Sequence, residues 1–236
     1  MAHAPRTPAA IAGISSMATR SLLARLVECY AHDTGGGRVD VTSIGGVDAA
    51  RRVQAGEPFD FVVLAADAIE RLAAEGRVDG GGRVDVARSA IAVAVPAGTP
   101  RPDLGTEAAV RDAVLRARRI GYSTGPSGVH LNRLFARWGI ADALASRIVQ
   151  APPGVPVGSL IASGDVELGF QQLSELANVD GIDVAGLLPD TIQSITVFAA
   201  AVCTAAREPA SAAQFLAYLA SPHNDAAKRA CGMEPA

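Results

Sequence analysis

The sequence predicts an α/β fold of two lobes, each a mainly parallel sheet flanked by helices, with a ligand cleft between them. Short strands that are apolar on both faces alternate with amphipathic helical stretches, as parallel sheets covered by helices require. The 236 residues are 49% hydrophobic but only 4% aromatic, which suits Ala/Val/Leu packing in one large or two modest domains. One local design also occurs in both halves: an apolar strand ends in hydroxyl residues, and these open an amphipathic helix.

The first strand is Ile11–Ala12–Gly13–Ile14, running into Ser15 and Ser16. Period then places a helix at about 17–32, a strand at about 38–42, a helix at about 46–55, a strand at about 60–64, a helix at about 67–75 and a strand at about 89–95. Gly35–Gly36–Gly37 and Gly80–Gly81–Gly82 read as turns, since neither lies between a strand and a helix start as a phosphate loop would. After Pro96–Ala97–Gly98–Thr99–Pro100 the pattern restarts. A helix is expected at about 106–117, a strand at about 119–122, a helix at about 127–138, a strand near 146–150, a helix at about 155–163 and a strand at about 167–170. The apolar run Ile195–Val202 carries the chain back to the first lobe, where a helix at about 209–220 and the tail pack. Lobe 1 is then residues 1–95 plus 198–236, and lobe 2 residues 96–197.

The formal net charge of −3, with no dense Lys/Arg block, gives no electrostatic footprint for nucleic acid or an anionic membrane. No apolar run is long enough to span a bilayer, so membrane insertion is excluded as well. The three cysteines and four histidines show no metal-ligand spacing. We expect reduced or incidental thiols, no metal and no cofactor. Met1–Ala2–His3–Ala4–Pro5–Arg6–Thr7–Pro8 lacks the apolar core of a secretory signal. As written, the chain reads as cytoplasmic; if a leader preceded it, periplasmic.

A strand that ends in Ser or Thr before a helix places hydroxyls and unpaired N–H groups at the positive end of the helix dipole, which is a site for an anion. A single such junction is usually only an N-cap, but here it recurs. The first copy carries Ser15 and Ser16; the second carries Ser123, Thr124, Ser127 and Gly128. Gly45, Gly46 and Val47 form a third strand-to-helix junction, Ala65 a fourth, and Pro156 with Val157 a fifth. None of these loops contains Lys or Arg, so an anion would be held by neutral dipoles; Arg20, Arg51 and Arg133 on adjoining helices read as surface residues, with Arg133 the choice if one turns inward. Gln171 and Gln172, directly after an apolar strand, are candidates to read a ligand across the cleft. If the chain is an enzyme, Glu175 or His130 is the candidate base, although a lone His at this position is more often structural.

These residues resemble the periplasmic molybdate-binding protein family, the substrate-binding components of ABC transporters with the type II binding-protein fold. Ile14–Ser15–Ser16–Met17–Ala18 looks like that family's first ligand-binding Ser loop and Ser43–Ile44–Gly45–Gly46–Val47 like its second. Val155–Pro156–Val157–Gly158–Ser159 through Glu167–Leu168–Gly169 looks like its helix and following strand, and the resemblance covers nearly the whole chain. Two departures point to a divergent subgroup: Phe170–Gln171–Gln172–Leu173 stands where the family commonly has a Tyr-containing segment, and the export signal is missing. The resemblance implies binding of a small oxyanion or di/tricarboxylate and, if exported, an ABC transporter membrane component as partner. Aconitate isomerase is built on the same fold, so a cytoplasmic isomerase of a small unsaturated polycarboxylate is an alternative, and a ligand-sensing regulatory domain is another.

Overall fold

The structure, a computed structural model, describes residues 10–35 and 37–236; the readings made on residues 1–8 and on Gly36 lie outside the described residues. In chain order the first elements are β1 Ile11–Ser16, a 3-10 turn Met17–Thr19, α1 Arg20–Thr34, β2 Val39–Ile44, α2 Gly46–Gln54, β3 Phe61–Ala65, α3 Ala66–Ala74 and β4 Val84–Ser89. Then come β5 Ile91–Pro96, α4 Glu107–Arg116, β6 Ile120–Tyr122, α5 Pro126–Arg137, α6 Ala141–Leu144, β7 Ile148–Gln150, α7 Val157–Ala162, β8 Leu168–Gln172, α8 Leu173–Leu176 and β9 Ile182–Leu187. The chain ends with β10 Thr196–Val202, α9 Pro209–Ala220, α10 Asp225–Ala230 and β11 Glu234–Pro235. Two compact units result: the described part of Met1–Ala87 with Phe198–Lys228 and Pro235–Ala236, and Arg88–Val197 with Arg229–Glu234.

The first unit is built on a six-stranded sheet of order β11-β4-β10-β3-β1-β2. Its parallel part is β2-β1-β3, with β10 running antiparallel against β3. Every residue of β3, Phe-Val-Val-Leu-Ala, is buried, as a strand covered on both faces must be. One face packs Ile14, Val62 and Leu64 on Val53, Ile69 and Leu72 from α2 and α3. On the other, the Phe61 ring lies 5.2 Å from Phe215 of α9, which in turn meets Tyr30 of α1. Full burial of each such side chain contributes about 1.5–3 kcal/mol. Gly13 pairs with Phe61 across β1 and β3, and a Cβ there would fall 2.1 Å from the ring, so the aromatic lies directly over the glycine.

Asp60, 3% exposed, staples this unit. Its carboxylate accepts from the Ala12 amide at 2.7 Å and from the Arg207 and Glu208 amides at 2.7 and 2.9 Å. Lys228, the single lysine of the chain, is also buried and donates to Asp225 Oδ1 at 3.3 Å, one turn back on the same helix. Cys203 and Cys231 are buried and Cys29 is half-buried. Burial, with the Asp60 charge, pushes the Cys203 thiol up to about 12, so it stays protonated.

The second unit holds a five-stranded sheet of order β7-β6-β8-β5-β9. Here β6 is parallel to β7 and β8, while β5 is antiparallel to β8 and β9. Alternation along β5 sorts the core: Ile91, Val93 and Val95 pack with Leu131, Leu134 and Phe135 of α5, whereas Ala92 and Ala94 face Val157 and Ile161 of α7.

Each sheet is mixed, with three parallel strands forming one side of it and the next strand running antiparallel to them. The strand expected at about 89–95 is β5, whereas β4, which ends just before it and lies in the other sheet, was not expected. The half-exposed alternation of Val84–Asp85–Val86 belongs to a strand wet on one face, which a search for wholly apolar runs passes over. Helix α1 starts at Arg20 rather than at Met17, because a 3-10 turn intervenes. The chain has no helix among the described residues that is long and apolar enough to cross a membrane.

Candidate functional site

Three adjacent parallel strands of the first unit end at one edge of the sheet. Ser15 lies in register with Ser43 on β2 and with Val63 on β3, so the junctions that follow β1, β2 and β3 are neighbours. Ser16, Gly45 and Ala65 stand at the three N-cap positions, and none makes a side-chain capping bond. The first-turn amides of α2 and α3 therefore lack side-chain caps, while their intrahelical partners begin only one turn later. Ser15 is fully buried and its hydroxyl pairs with Ser43 Oγ at 2.8 Å, which ties the first of these strand ends to the second. Ser16 is 8% exposed, and its Oγ is buried without any hydrogen-bond partner. Its backbone carbonyl, by contrast, accepts from Thr19 Oγ1 at 3.1 Å. Gly46 brings α2 close to this hydroxyl: a Cβ on Gly46 would lie 3.6 Å from Ser16 Cβ. Asp48 sits in the first turn of α2, as a dipole-complementing acid should, and is ion-paired with the exposed Arg51.

In the second unit the hydroxyl-rich turn after β6 folds on itself. Ser123 Oγ accepts from the Gly125 amide at 3.3 Å and lies 3.4 Å from Ser127 Oγ. Ser127 is 1% exposed, while Thr124 is exposed and stands apart from that pair. Helix α5 starts at Pro126, which has no N–H, with Gly125 as an extended N-cap that makes no side-chain bond. The sequence reading gave Gly128 to close approach of a ligand. The structure gives it to the protein's own backbone, since a Cβ there would fall 1.7 Å from the Ser123 carbonyl oxygen.

At three further candidate positions the polar groups have partners within the protein. The Val157 amide is not left open at the start of α7, because it donates to Gln171 Oε1 at 2.8 Å, with Pro156 as the uncapped residue before it. Gln171, 2% exposed, then donates from Nε2 to Glu175 Oε1 at 2.7 Å, so both ends of its amide are occupied within the unit. Gln172 Nε2 donates to Thr196 Oγ1 at 2.8 Å; its Oε1 is buried and unpartnered, and such an acceptor does not suit an anion. Arg133 does not turn inward but is exposed, as are Arg20 and Arg51. His130 Nε2 donates to the Ile192 carbonyl at 2.8 Å, which pins the ring and fits a structural histidine better than a base.

Glu175 is the one acid here with the proton affinity of a base poised near neutrality. Burial pushes its carboxyl up to about 7, only partly offset by the bond from Gln171. Its helix α8 packs on β5, β8 and α7, whose sequences contain no ionisable residue. A groove of about 210 Å³, lined by Tyr30, Arg38, Ser211 and Gln214, lies at the amino ends of β1 and β2, the opposite end of the strands from the Ser16 junction.

Against known proteins, residues 11–234 match the bacterial extracellular solute-binding protein family. The chain is 40% identical over 178 residues to an aconitate isomerase from a Pseudomonas species, covering 75% of this chain and 67% of that protein. Its fold is similar to that of the Azotobacter vinelandii periplasmic molybdate-binding protein, with a TM-score of 0.78 at 23% identity over 94% of this chain and 98% of the other. It is also similar to the sulfate-binding protein of Mycobacterium tuberculosis, with a TM-score of 0.75 at 15% identity over 96% and 86%. With the strand-to-helix junctions in place and the match running through all but the two ends of the chain, the protein belongs to the bacterial extracellular solute-binding protein family.

Proposed function

We propose that the chain binds a small anion, an oxyanion or a di- or tricarboxylate, through neutral donors. In the first unit these are the Ser15 and Ser16 hydroxyls with the first amides of α2 and α3, behind Gly45, Gly46, Val47 and Ala65. In the second they are the hydroxyls of Ser123, Thr124 and Ser127 with the first amides of α5. The observation that carries this reading is Ser16 Oγ, a buried donor without a partner beside a glycine-started helix whose first amides are uncapped. An unpaired buried hydroxyl costs about 1–3 kcal/mol, and an anion oxygen accepting from it recovers that cost. Neutral dipoles discriminate by shape and desolvation rather than by charge attraction. Membership in a solute-binding family supports hand-over of the ligand to a membrane transporter component.

The test is titration calorimetry with a panel of sulfate, molybdate, phosphate and small polycarboxylates. Ser16→Ala and Ser123→Ala should each weaken binding of the best ligand by about 1.5–3 kcal/mol. Ser16→Ala should make the unliganded protein more stable, by up to about 1–3 kcal/mol, because it removes a buried hydroxyl that bonds nothing. Unchanged affinity in both variants sinks the reading.

A second reading, isomerisation of a small unsaturated tricarboxylate by proton transfer, is favoured by the 40% identical aconitate isomerase and by the Glu175 carboxyl at about 7. Such a group takes up and returns a proton near neutrality. A proton NMR time course with cis- and trans-aconitate decides it: interconversion supports the enzyme, and binding without interconversion leaves the receptor.

A further inference from the structure

Gln171 and Glu175 lie on either side of the turn from β8 into α8, and a third group decides how they face each other. Gln171 stands opposite Ala92 of β5, whose small side chain packs in one cluster with Val157 and Ile161 of α7. There the Val157 amide donates to Gln171 Oε1 at 2.8 Å. A backbone N–H only donates, so the Gln171 amide cannot turn over without setting N–H against N–H. Its Nε2 therefore points to Glu175 Oε1, at 2.7 Å. A carboxyl oxygen that takes a proton gives up a lone pair and accepts poorly, which sends the proton to the other oxygen, Oε2. Among the described residues Oε2 has no hydrogen-bond partner, yet it is not one of the buried atoms left unpaired, so it reaches open space.

No charge competes for this pair. The elements packed on α8, which are β5, β8 and α7, contain no ionisable residue. Ser89, which accepts from the Ser174 amide, is uncharged. In the segment that touches α8 through Gly232, Cys231 is a buried thiol, while Arg229 and Glu234 pair with each other at the surface. Resting on the isomerase reading above, the geometry points to Gln171 as a positioning residue: oriented by the Val157 amide, it holds Glu175 by Oε1 and so assigns Oε2 as the oxygen that takes a proton from one ligand carbon and returns it to another. The C–H electron pair becomes the new double bond and the pair of the old double bond takes the returned proton, so the carboxyl ends the turnover as it began.

The experiment turns on Gln171→Glu, whose carboxyl still accepts from the Val157 amide but offers Glu175 an oxygen in place of an N–H. Two carboxyls in such contact cannot both ionise. Gln171→Met, of similar length, removes both bonds, and thermal unfolding checks that each variant folds. Carbon-13 NMR of the Glu175 carboxyl and nitrogen-15 NMR of the Gln171 side chain are followed from about pH 5 to pH 9, beside pH–rate profiles for cis- and trans-aconitate. In wild type the Gln171 Nε2 signal should move together with the Glu175 carboxyl. In Gln171→Glu the upper titration of the pair should lie at least about one pH unit above the wild-type midpoint, a tenfold change in proton affinity, and the rate limb that rises with ionisation should move with it. Gln171→Met should raise the midpoint too, since the lost donor favours the ionised form. If Gln171→Glu titrates and turns over like wild type, Gln171 only anchors α7; the inference is overturned and the isomerase reading stands. If wild type interconverts no aconitate, the isomerase reading fails and the inference falls with it.

Discussion

Glu175→Gln should make the protein more stable above pH 7, by about 3 kcal/mol, and should flatten its pH–stability profile below that. Burial raises the folded-state carboxyl from an ordinary 4.5 to about 7, so between these values the folded chain holds a proton that the unfolded chain has lost. A group raised in this way contributes stability that is fully present below 4.5 and is lost as pH rises through about 7. Gln at this position carries no charge to desolvate, and its side-chain oxygen still accepts from Gln171 Nε2. Urea unfolding followed by circular dichroism at pH 5 and pH 8 checks this. Parallel profiles for wild type and variant would show that the carboxyl is ionised and solvated throughout. If the same substitution also abolishes isomerisation in the NMR assay, the carboxyl whose ionisation costs stability is the one used in turnover.

Gly128→Ala should cost about 3 kcal/mol or more, lowering the melting temperature by roughly 10 °C and opening the Ser123–Ser127 pair. The obstacle is backbone, the Ser123 carbonyl oxygen 1.7 Å from the new methyl, so no rotamer change relieves it. Gly125→Ala, three residues earlier in the same turn, is the contrast. Gly125 has φ −77°, and the nearest atom to its added Cβ is Ser123 Oγ at 3.5 Å, so this substitution should be close to neutral. Differential scanning calorimetry of the pair separates a packing constraint from a general need for flexibility in the loop. Equal losses in both would remove the close-approach explanation.

Much of the first unit is readable from local pattern. The apolar run Phe61–Leu64 and the Pro-started helix Pro209–Ala220 lie where period and punctuation put them, because both signals are local. The strand Ile182–Leu187 gave no such signal. It is an edge strand of the second sheet, with a register shift opposite Val93 and Ala94 and with Gly186 at φ 156°, and it is held by β5 rather than by its own apolar content. At the candidate site, the placement of Ser15 and Ser16 at a strand end before a helical turn was legible, because that pattern is local. Gln171 was not. Alternation along Leu168–Gln172 turns Phe170 to one core and Gln171 towards α7, where its partner, the Val157 amide, lies fourteen residues back. His130 bonds a carbonyl sixty-two residues away, and distances of that kind are invisible to any window of sequence.

The discontinuity of the first unit has a consequence during synthesis. The second unit draws its whole sheet from residues 91–187, so a nascent chain released as far as Val197 already contains every strand of it. The unit that begins emerging first must wait. β3 has no partner on its outer edge until Thr196–Val202 arrives, and the Asp60 carboxylate has no Arg207 or Glu208 amide to receive until the chain has grown almost 150 residues further. On the ribosome the sheet of the second unit is therefore complete before that of the first, the reverse of the order in which the two begin to emerge. For that interval the fully apolar strand Phe61–Ala65 presents an open edge, the segment a chaperone would have reason to cover.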